Sequence, residues 1–428
     1  MKYALVNPNW DFEGSIYFGC REPHLPLEYG YSQAILRRTG HDCLLIDAFL
    51  DKLRVDEIRD RLIGFHPDIT VVTTAPSYLF WRCAQPELRV PMEIARAIRD
   101  VAGTIAIVGP HGSTTPGPAL RKIDADVVIR GECEEILPQL AGEWRAVPSI
   151  VYRENGELKS NGGPHASDMT RLAALRWSPE TIARHRHHHH RFDSAPSGPG
   201  AEMEASRGCP YHCTFCAKDN FRDGYRKRPL PALLEELDGL IAAGARYVYF
   251  IDEIFLPDRA LLKAVAGRNI KFGVQTRIDL WNEETIDLLG AAGCVSVEAG
   301  VESITEAGRA FLGKKCRVST DKLASLLIAA KRTIPFVQAN LLKMPQDDDA
   351  AIMAWRKDLQ QSGVWANEPV PLYPYPGCPD YTRLWGAPDD QAWERAHDYY
   401  LKEYAKFSDV QDDRPVPLIQ LESGEHVR

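Results

Sequence analysis

The chain has 428 residues, 44% of them apolar, with 51 Lys and Arg against 59 Asp and Glu for a formal charge of -8. At ~100–200 residues per domain this length allows two or three domains; the acidic balance leaves no electrostatic footprint for a nucleic-acid backbone, and no apolar run nears the ~20 residues that span a bilayer. The N-terminal apolar run is too short for a signal peptide, so a cytoplasmic location is expected, where tight clusters among the ten cysteines point to metal binding or catalysis rather than disulfides.

Residues 1–145 alternate between two patterns. KYALVNP, DCLLIDAF, DITVVTTA, TIAIVGP and ADVVIRG are short apolar runs that predict strands, while YGYSQAILRRTGH, RVDEIRDRLIGFH, VPMEIARAIRDVAG and CEEILPQLAGEW read as helices. Apolar strands between amphipathic helices predict an α/β, doubly wound, Rossmann-like domain with its sheet covered on both faces. Its ligand belongs beyond the carboxyl ends of the strands. Those ends supply Thr73, Thr74, Ala75 and Pro76, then Gly109, Pro110, His111 and Gly112, then Gly131 and Glu132. Such a shelf of small residues and backbone amides suits a large ligand.

Residues 146–200 read as a linker or lid. RENGELKSNGG is a hairpin or loop, and RHRHHHHRFDSAPSGPGAEME has no apolar period. Its four histidines, His187 to His190, read as a solvated basic run, because closed zinc sites use spaced Cys and His ligands.

Over residues 201–345 the alternation returns. AEMEASRG, RYVYFIDEIF, IKFGVQTRIDL, VSVEAGVES and FVQANLLKMP predict strands separated by helices such as PLPALLEELDGLIAAG and TDKLASLLIAAKRT. Five such units predict a partial (β/α) barrel with its active site at the strand C-terminal ends. Residues 346–428 read as a mostly helical, aromatic-rich cap, in which Tyr373, Tyr375 and Trp385 either close the barrel mouth over a substrate or pack.

The loop after the first barrel strand reads CPYHCTFCAK, with Cys209, Cys213 and Cys216. A disulfide does not use three thiols, and a structural zinc closes four ligands. Iron-sulfur clusters take thiolates and usually four of them. Three would leave one iron open to a ligand from outside the protein.

This Cys-x3-Cys-x2-Cys pattern, with aromatic Phe215 before its last cysteine, resembles the radical S-adenosylmethionine enzymes. The resemblance implies a 4Fe-4S cluster on Cys209, Cys213 and Cys216, with S-adenosylmethionine chelated at the open iron and split to a 5′-deoxyadenosyl radical. It also implies an electron donor such as flavodoxin or ferredoxin. It makes Asp252 and Glu253 of FIDEIF candidates for the methionyl amine, in place of the family's Gly-Gly-Glu triplet. Gln275 and Arg277 of QTRIDL would meet the ribose and carboxylate, and Glu298 and Glu302 of EAGVES would follow on the next strand.

Residues 1–145 resemble the cobalamin-binding domain fused ahead of many of these enzymes, through VNP, ILRRTGHD, VGPHG and IRGECEE. On that resemblance the three strand ends named above bind cobalamin. Asp-x-His-x-x-Gly is absent, so no histidine ligand below cobalt is expected. Together the two resemblances cover residues 1 to about 340 and imply methyl transfer to an unactivated carbon of a small-molecule substrate. A cyclase, oxidase or rearrangement enzyme with the same cofactors is the alternative. A non-enzymatic cobalamin or redox sensor would be expected to carry an output module, and none is visible.

Overall fold

The computed structural model describes residues 1–16, 22–77, 83–185, 198–222, 224–404 and 415–423. The His187–His190 run lies outside the described residues. The first sheet comprises β1 (Lys2–Asn7), β2 (Asp42–Asp47), β3 (Ile69–Thr73), β4 (Thr104–Val108), β5 (Val127–Ile129), β6 (Ile150–Glu154) and β7 (Glu157–Asn161), in the order β2-β1-β3-β4-β5-β6-β7. β1 to β5 are parallel. Helices Leu27–Arg38, Val55–Phe65 and Arg89–Ile98 bury their apolar stripes on it. β3 is buried along its whole length, which is why it carries no charge, and Thr70 within it donates its hydroxyl to Ala102 O at 2.8 Å.

Three local differences from the sequence reading have physical causes. The stretch around LPQLAGEW forms only a 3-10 turn, Leu137–Ala141, because Pro138 removes an amide donor from any longer helix. Two short helices, Pro110–Thr114 and Pro116–Ile123, follow β4; each starts on a proline whose fixed φ suits the first helical turn. The segment expected as linker begins with the β6–β7 hairpin, which joins the sheet antiparallel to β5. Asn155 and Gly156, both at positive φ, make its turn, and buried Ile150, Val151 and Tyr152 tie it to the core.

The second sheet orders β15-β14-β13-β12-β11-β8, built from β8 (Gly200–Met203), β11 (Tyr247–Phe250), β12 (Lys271–Thr276), β13 (Cys294–Glu302), β14 (Phe336–Leu341) and β15 (Trp365–Ala366). All neighbours are parallel, giving an open six-stranded partial barrel. A two-residue antiparallel ribbon, β9 (Ser206–Arg207) and β10 (Arg226–Lys227), flanks the cysteine loop. One apolar core runs through both sheets, taking in Leu25, Tyr29 and Tyr31 as well as Ala201 and Met203 of β8.

The C-terminal helices Pro379–Trp385, Ala392–Tyr404 and Leu418–Ser423 return to the first sheet. Lys122 bonds both Glu394 and Glu422 at 2.6 Å, and the Leu88 amide donates to Glu422 at 3.0 Å. The cap therefore bridges the two sheets.

Candidate active site

The cysteine loop leaves β9 through Gly208, which sits at φ 75° with no room for a side chain. A Cβ there would lie 2.2 Å from the Gly224 carbonyl oxygen. Only glycine serves at such a position. Cys209, Cys213 and Cys216 are not in disulfides and are half-buried. Thr214 anchors the loop's outer side: its amide donates to Leu312 O at 2.9 Å and its hydroxyl to Asp380 Oδ2 at 3.0 Å, while the Asp380 amide donates to Thr214 O at 2.9 Å. Asn220 Nδ2 reaches Pro376 O at 3.0 Å. The cap thus holds the loop from outside.

Burial raises the Cys209 thiol, and raises Cys213 to about 11, while the cations of Lys218, Arg277 and Lys314 act in the opposite direction. Among the described residues no group of three His, Cys, Asp or Glu is arranged around a single metal ion. Three cysteine thiols spaced along one loop and flanked by cations instead fit a polynuclear iron-sulfur cluster, in which each thiolate takes a different iron.

The acidic pair after β11 is committed to the scaffold. Glu253 accepts from the Gly208 amide at 2.8 Å through Oε2 and from Arg222 at 2.7 Å through Oε1. Asp252 accepts from the Ala205 amide at 2.8 Å and from Ser206 Oγ at 2.5 Å, and burial pushes its carboxyl up to about 8. Both carboxylates expected at the methionyl amine therefore brace the loop.

Arg277 fits a substrate contact better. Its guanidinium stacks 4.1 Å from the Tyr211 ring of the cysteine loop and forks onto Asp279 at 2.7 and 3.1 Å. Its Nη1 is buried with no hydrogen-bond partner among the described residues. A carboxylate arriving beside the cysteines would satisfy it.

Gln275, Glu298 and Gln338 stand in register across β12, β13 and β14 and are all half-buried, forming a polar row; Gln338 was not singled out from the sequence. Glu302, at φ 63°, is ion-paired to buried Lys314, whose ammonium also donates to Gly300 O at 2.8 Å. Phe215 is half-buried within the loop.

At the rim of the first sheet, Thr73 Oγ1 donates to Ala75 O at 2.7 Å. Gly109, at φ 129°, passes so close to Thr74 that a Cβ would lie 2.2 Å from Thr74 Oγ1. Pro110 opens the short helix carrying His111. His111 Nε2 faces Pro86 O at 3.2 Å, its ring stacks 4.1 Å from Trp393, and burial pushes it down to about 3. It is a buried neutral imidazole. Gly131, at φ 78°, donates to Ser113 Oγ at 2.9 Å. Thr74 Oγ1, Ser77 Oγ and Gln85 Oε1 are buried without a hydrogen-bond partner among the described residues. Ser77 and Gln85 carried no sequence signal.

Glu132, expected on this shelf, faces the barrel instead. It accepts from Arg226 at 2.7 and 3.0 Å, from Arg207 at 3.1 Å and from the Ser167 amide at 2.7 Å. Burial alone would raise its carboxyl, but Arg207, Arg226 and Arg222 hold it well below the usual range. These arginines were not anticipated from sequence. Tyr373, Tyr375 and Trp385 pack: Tyr373 and Tyr375 lie 4.5 Å apart by ring centroids, and Trp385 meets Tyr381 at 5.0 Å. No helix among the described residues is long and apolar enough to cross a membrane.

Comparison with known proteins places this geometry. A family model described as the Radical SAM superfamily matches residues 203–359. An uncharacterized methyltransferase of Pyrococcus horikoshii is 23% identical over 403 residues, covering 90% of this chain and 82% of that protein. The anaerobic magnesium-protoporphyrin IX monomethyl ester cyclase of Cereibacter sphaeroides is 22% identical over 357 residues, 77% of this chain; the chain spans only 55% of that enzyme's length. Among solved structures, the radical S-adenosylmethionine methyltransferase TsrM from Kitasatospora setae, with cobalamin and a 4Fe-4S cluster bound, superposes with a TM-score of 0.69 at 18% identity. That match covers 88% of this chain and 76% of TsrM. Residues 203–359 thus match the radical SAM superfamily model, and the chain shares its overall fold with TsrM.

Proposed function

We propose that the chain is a cobalamin-dependent radical S-adenosylmethionine enzyme that methylates an unactivated carbon of a small molecule. One observation carries the reading: three cysteine thiols sit on a braced loop at the barrel rim, and that loop packs against the strand-end rim of the first sheet. The helix Pro110–Thr114 touches the turn Lys218–Asn220 that closes the loop. Two cofactors held at these rims would face one space.

When bound, the cluster would supply the electron that splits S-adenosylmethionine, and cobalamin a transferable methyl group. The chain's residues have separate tasks around them. Cys209, Cys213 and Cys216 hold the cluster, while Arg277, oriented by Asp279 and Tyr211, binds the S-adenosylmethionine carboxylate. Gln275 and Glu298 lie on the adjoining strands for its ribose. Thr74, Ser77 and Gln85 offer buried polar atoms that the amide groups rimming a corrin ring would satisfy. His111 is turned to Pro86 and Trp393, so it provides no ligand below cobalt. The aromatic cap braces the outer side of the loop through Thr214 and Asn220. The electron comes from a small one-electron carrier of the flavodoxin or ferredoxin class.

Anaerobic reconstitution tests the reading. The chain should take up about four irons and one corrinoid. Cys209→Ala, Cys213→Ala and Cys216→Ala should each abolish cleavage of S-adenosylmethionine, while Cys133→Ala and Cys294→Ala keep the cluster. Failure to bind any corrinoid would remove the cobalamin half. The likeness to the cyclase favours a second reading, ring closure without methyl transfer, which product analysis separates.

A further inference from the structure

Between the two sheets lies a network of charged side chains that neither cofactor site uses. Arg207 and Arg222 are fully buried, as are Glu132, Glu134 and Glu204. Arg207 reaches Glu132 at 3.1 Å, Glu134 at 2.8 Å and Glu204 at 2.8 Å. Arg222 reaches Glu204 and Glu253 at 2.7 Å each, and Glu132 at 3.4 Å. Glu132 and Glu134 belong to the first domain; the other members flank the cysteine loop.

The placement of these bonds along the chain is what matters. Gly208, immediately before Cys209, donates its amide to one oxygen of Glu253; Arg222, which ends the loop after Cys216, donates to the other. One carboxylate therefore fastens both ends of the segment that carries the three thiols. The Arg222 amide also closes back on Lys218 O at 2.7 Å. Arg207 precedes Gly208 directly, and its guanidinium is held by two first-domain carboxylates.

We propose that Glu253 and Arg222 are positioning residues for the cysteines, and that Glu132 sets the loop's position across the seam between the domains. A planar guanidinium in a dry site has a few fixed bonding directions, so a chain of forked contacts transmits a displacement instead of absorbing it. Removing a partner also leaves an uncompensated buried charge, which favours rearrangement of what remains. The cluster and the first-domain ligand are thereby held in one frame. This role rests on the proposed function only where it concerns the cluster; the clamp itself is a property of the chain.

The experiment compares Glu132→Gln and Arg222→Lys with Glu422→Gln, which weakens a different contact between the cap and the first domain. Hydrogen exchange of residues 208–222 is measured on protein without cluster, and the electron paramagnetic resonance spectrum of the reduced cluster after reconstitution. Glu132→Gln and Arg222→Lys should exchange at least several-fold faster over 208–222 and, at unchanged iron content, give a shifted or broadened signal. Glu132→Asp should restore part of both, and Glu422→Gln should leave both as in the parent. Parent-like exchange in Glu132→Gln and Arg222→Lys, or an equal change in Glu422→Gln, would overturn the proposal. If the parent assembles no cluster, the cofactor reading fails while the exchange arm still decides the clamp.

Discussion

Glu28 opens the helix Leu27–Arg38 and is fully buried, and neither carboxylate oxygen has a hydrogen-bond partner on another of the described residues. Burial pushes its carboxyl up to about 8, opposed first by its own backbone amide and then by Arg222, with Glu134 and Glu204 adding to the rise. Between the ordinary carboxyl range and about 8 the folded chain therefore holds a proton that the unfolded chain has released. Stability from this group is present at low pH and is lost as pH rises through that window, at about 1.4 kcal/mol per unit. Glu28→Gln places a neutral near-isostere in the same space and removes the slope. Buried Glu202 and Asp252, also raised to about 8, titrate alike in both proteins and cancel in the comparison. From pH 5 to pH 8 the stability difference should move toward the variant by up to about 4 kcal/mol. Urea unfolding of parent and variant at the two pH values measures it. A difference that does not change with pH, or that moves toward the parent as pH rises, would refute the reasoning.

Gly208→Ala puts a side chain at φ 75° and against the Gly224 carbonyl, so iron uptake should fall sharply while the far-ultraviolet circular dichroism keeps its parent shape. His111→Phe keeps a ring stacked on Trp393; the visible spectrum of bound corrinoid should match the parent, and loss of a nitrogen-ligand signature would contradict the rim geometry. Trp393→Ala removes both that stack and the 3.0 Å bond from its indole to Thr115, and should lower stability by about 3–5 kcal/mol in denaturant unfolding. Arg277→Ala should weaken S-adenosylmethionine binding in equilibrium dialysis without loss of iron, because Arg277 touches the loop through Tyr211 and no cysteine depends on it for a backbone bond.

Local signals carried most of the architecture. Strands such as Ile69–Thr73 are buried on both faces and so are near-continuous apolar runs broken only by threonine, and the spacing of Cys209, Cys213 and Cys216 lies within one loop. What failed to show depended on distance along the chain or on very short elements. Glu132 looked like part of a ligand shelf because it follows a strand end; its partners Arg207 and Arg226 stand 75 and 94 residues away. Glu253 sits where the family places an amine contact, yet Gly208 and Arg222 claim both its oxygens, a pairing no periodicity encodes. β15 has two residues, too few for an alternation, and β6 and β7 joined the sheet through an Asn-Gly turn that equally suits a free loop. The aromatic cap was ambiguous for a different reason: Tyr373 and Tyr375 have the same composition whether they line a mouth or pack against each other.

The proposed methyl transfer would use two molecules of S-adenosylmethionine for different purposes, one as methyl donor and one as radical source. Anaerobic turnover with S-adenosylmethionine deuterated at its methyl group, a one-electron reductant, cobalamin and candidate substrates, followed by mass analysis, tests it most directly. S-adenosylhomocysteine and 5′-deoxyadenosine should appear in near-equal amounts, with a product in which one labelled methyl group has replaced a hydrogen. Formation of 5′-deoxyadenosine with substrate consumed, but with no S-adenosylhomocysteine and no label in the product, would contradict methyl transfer and leave the ring-closing reading.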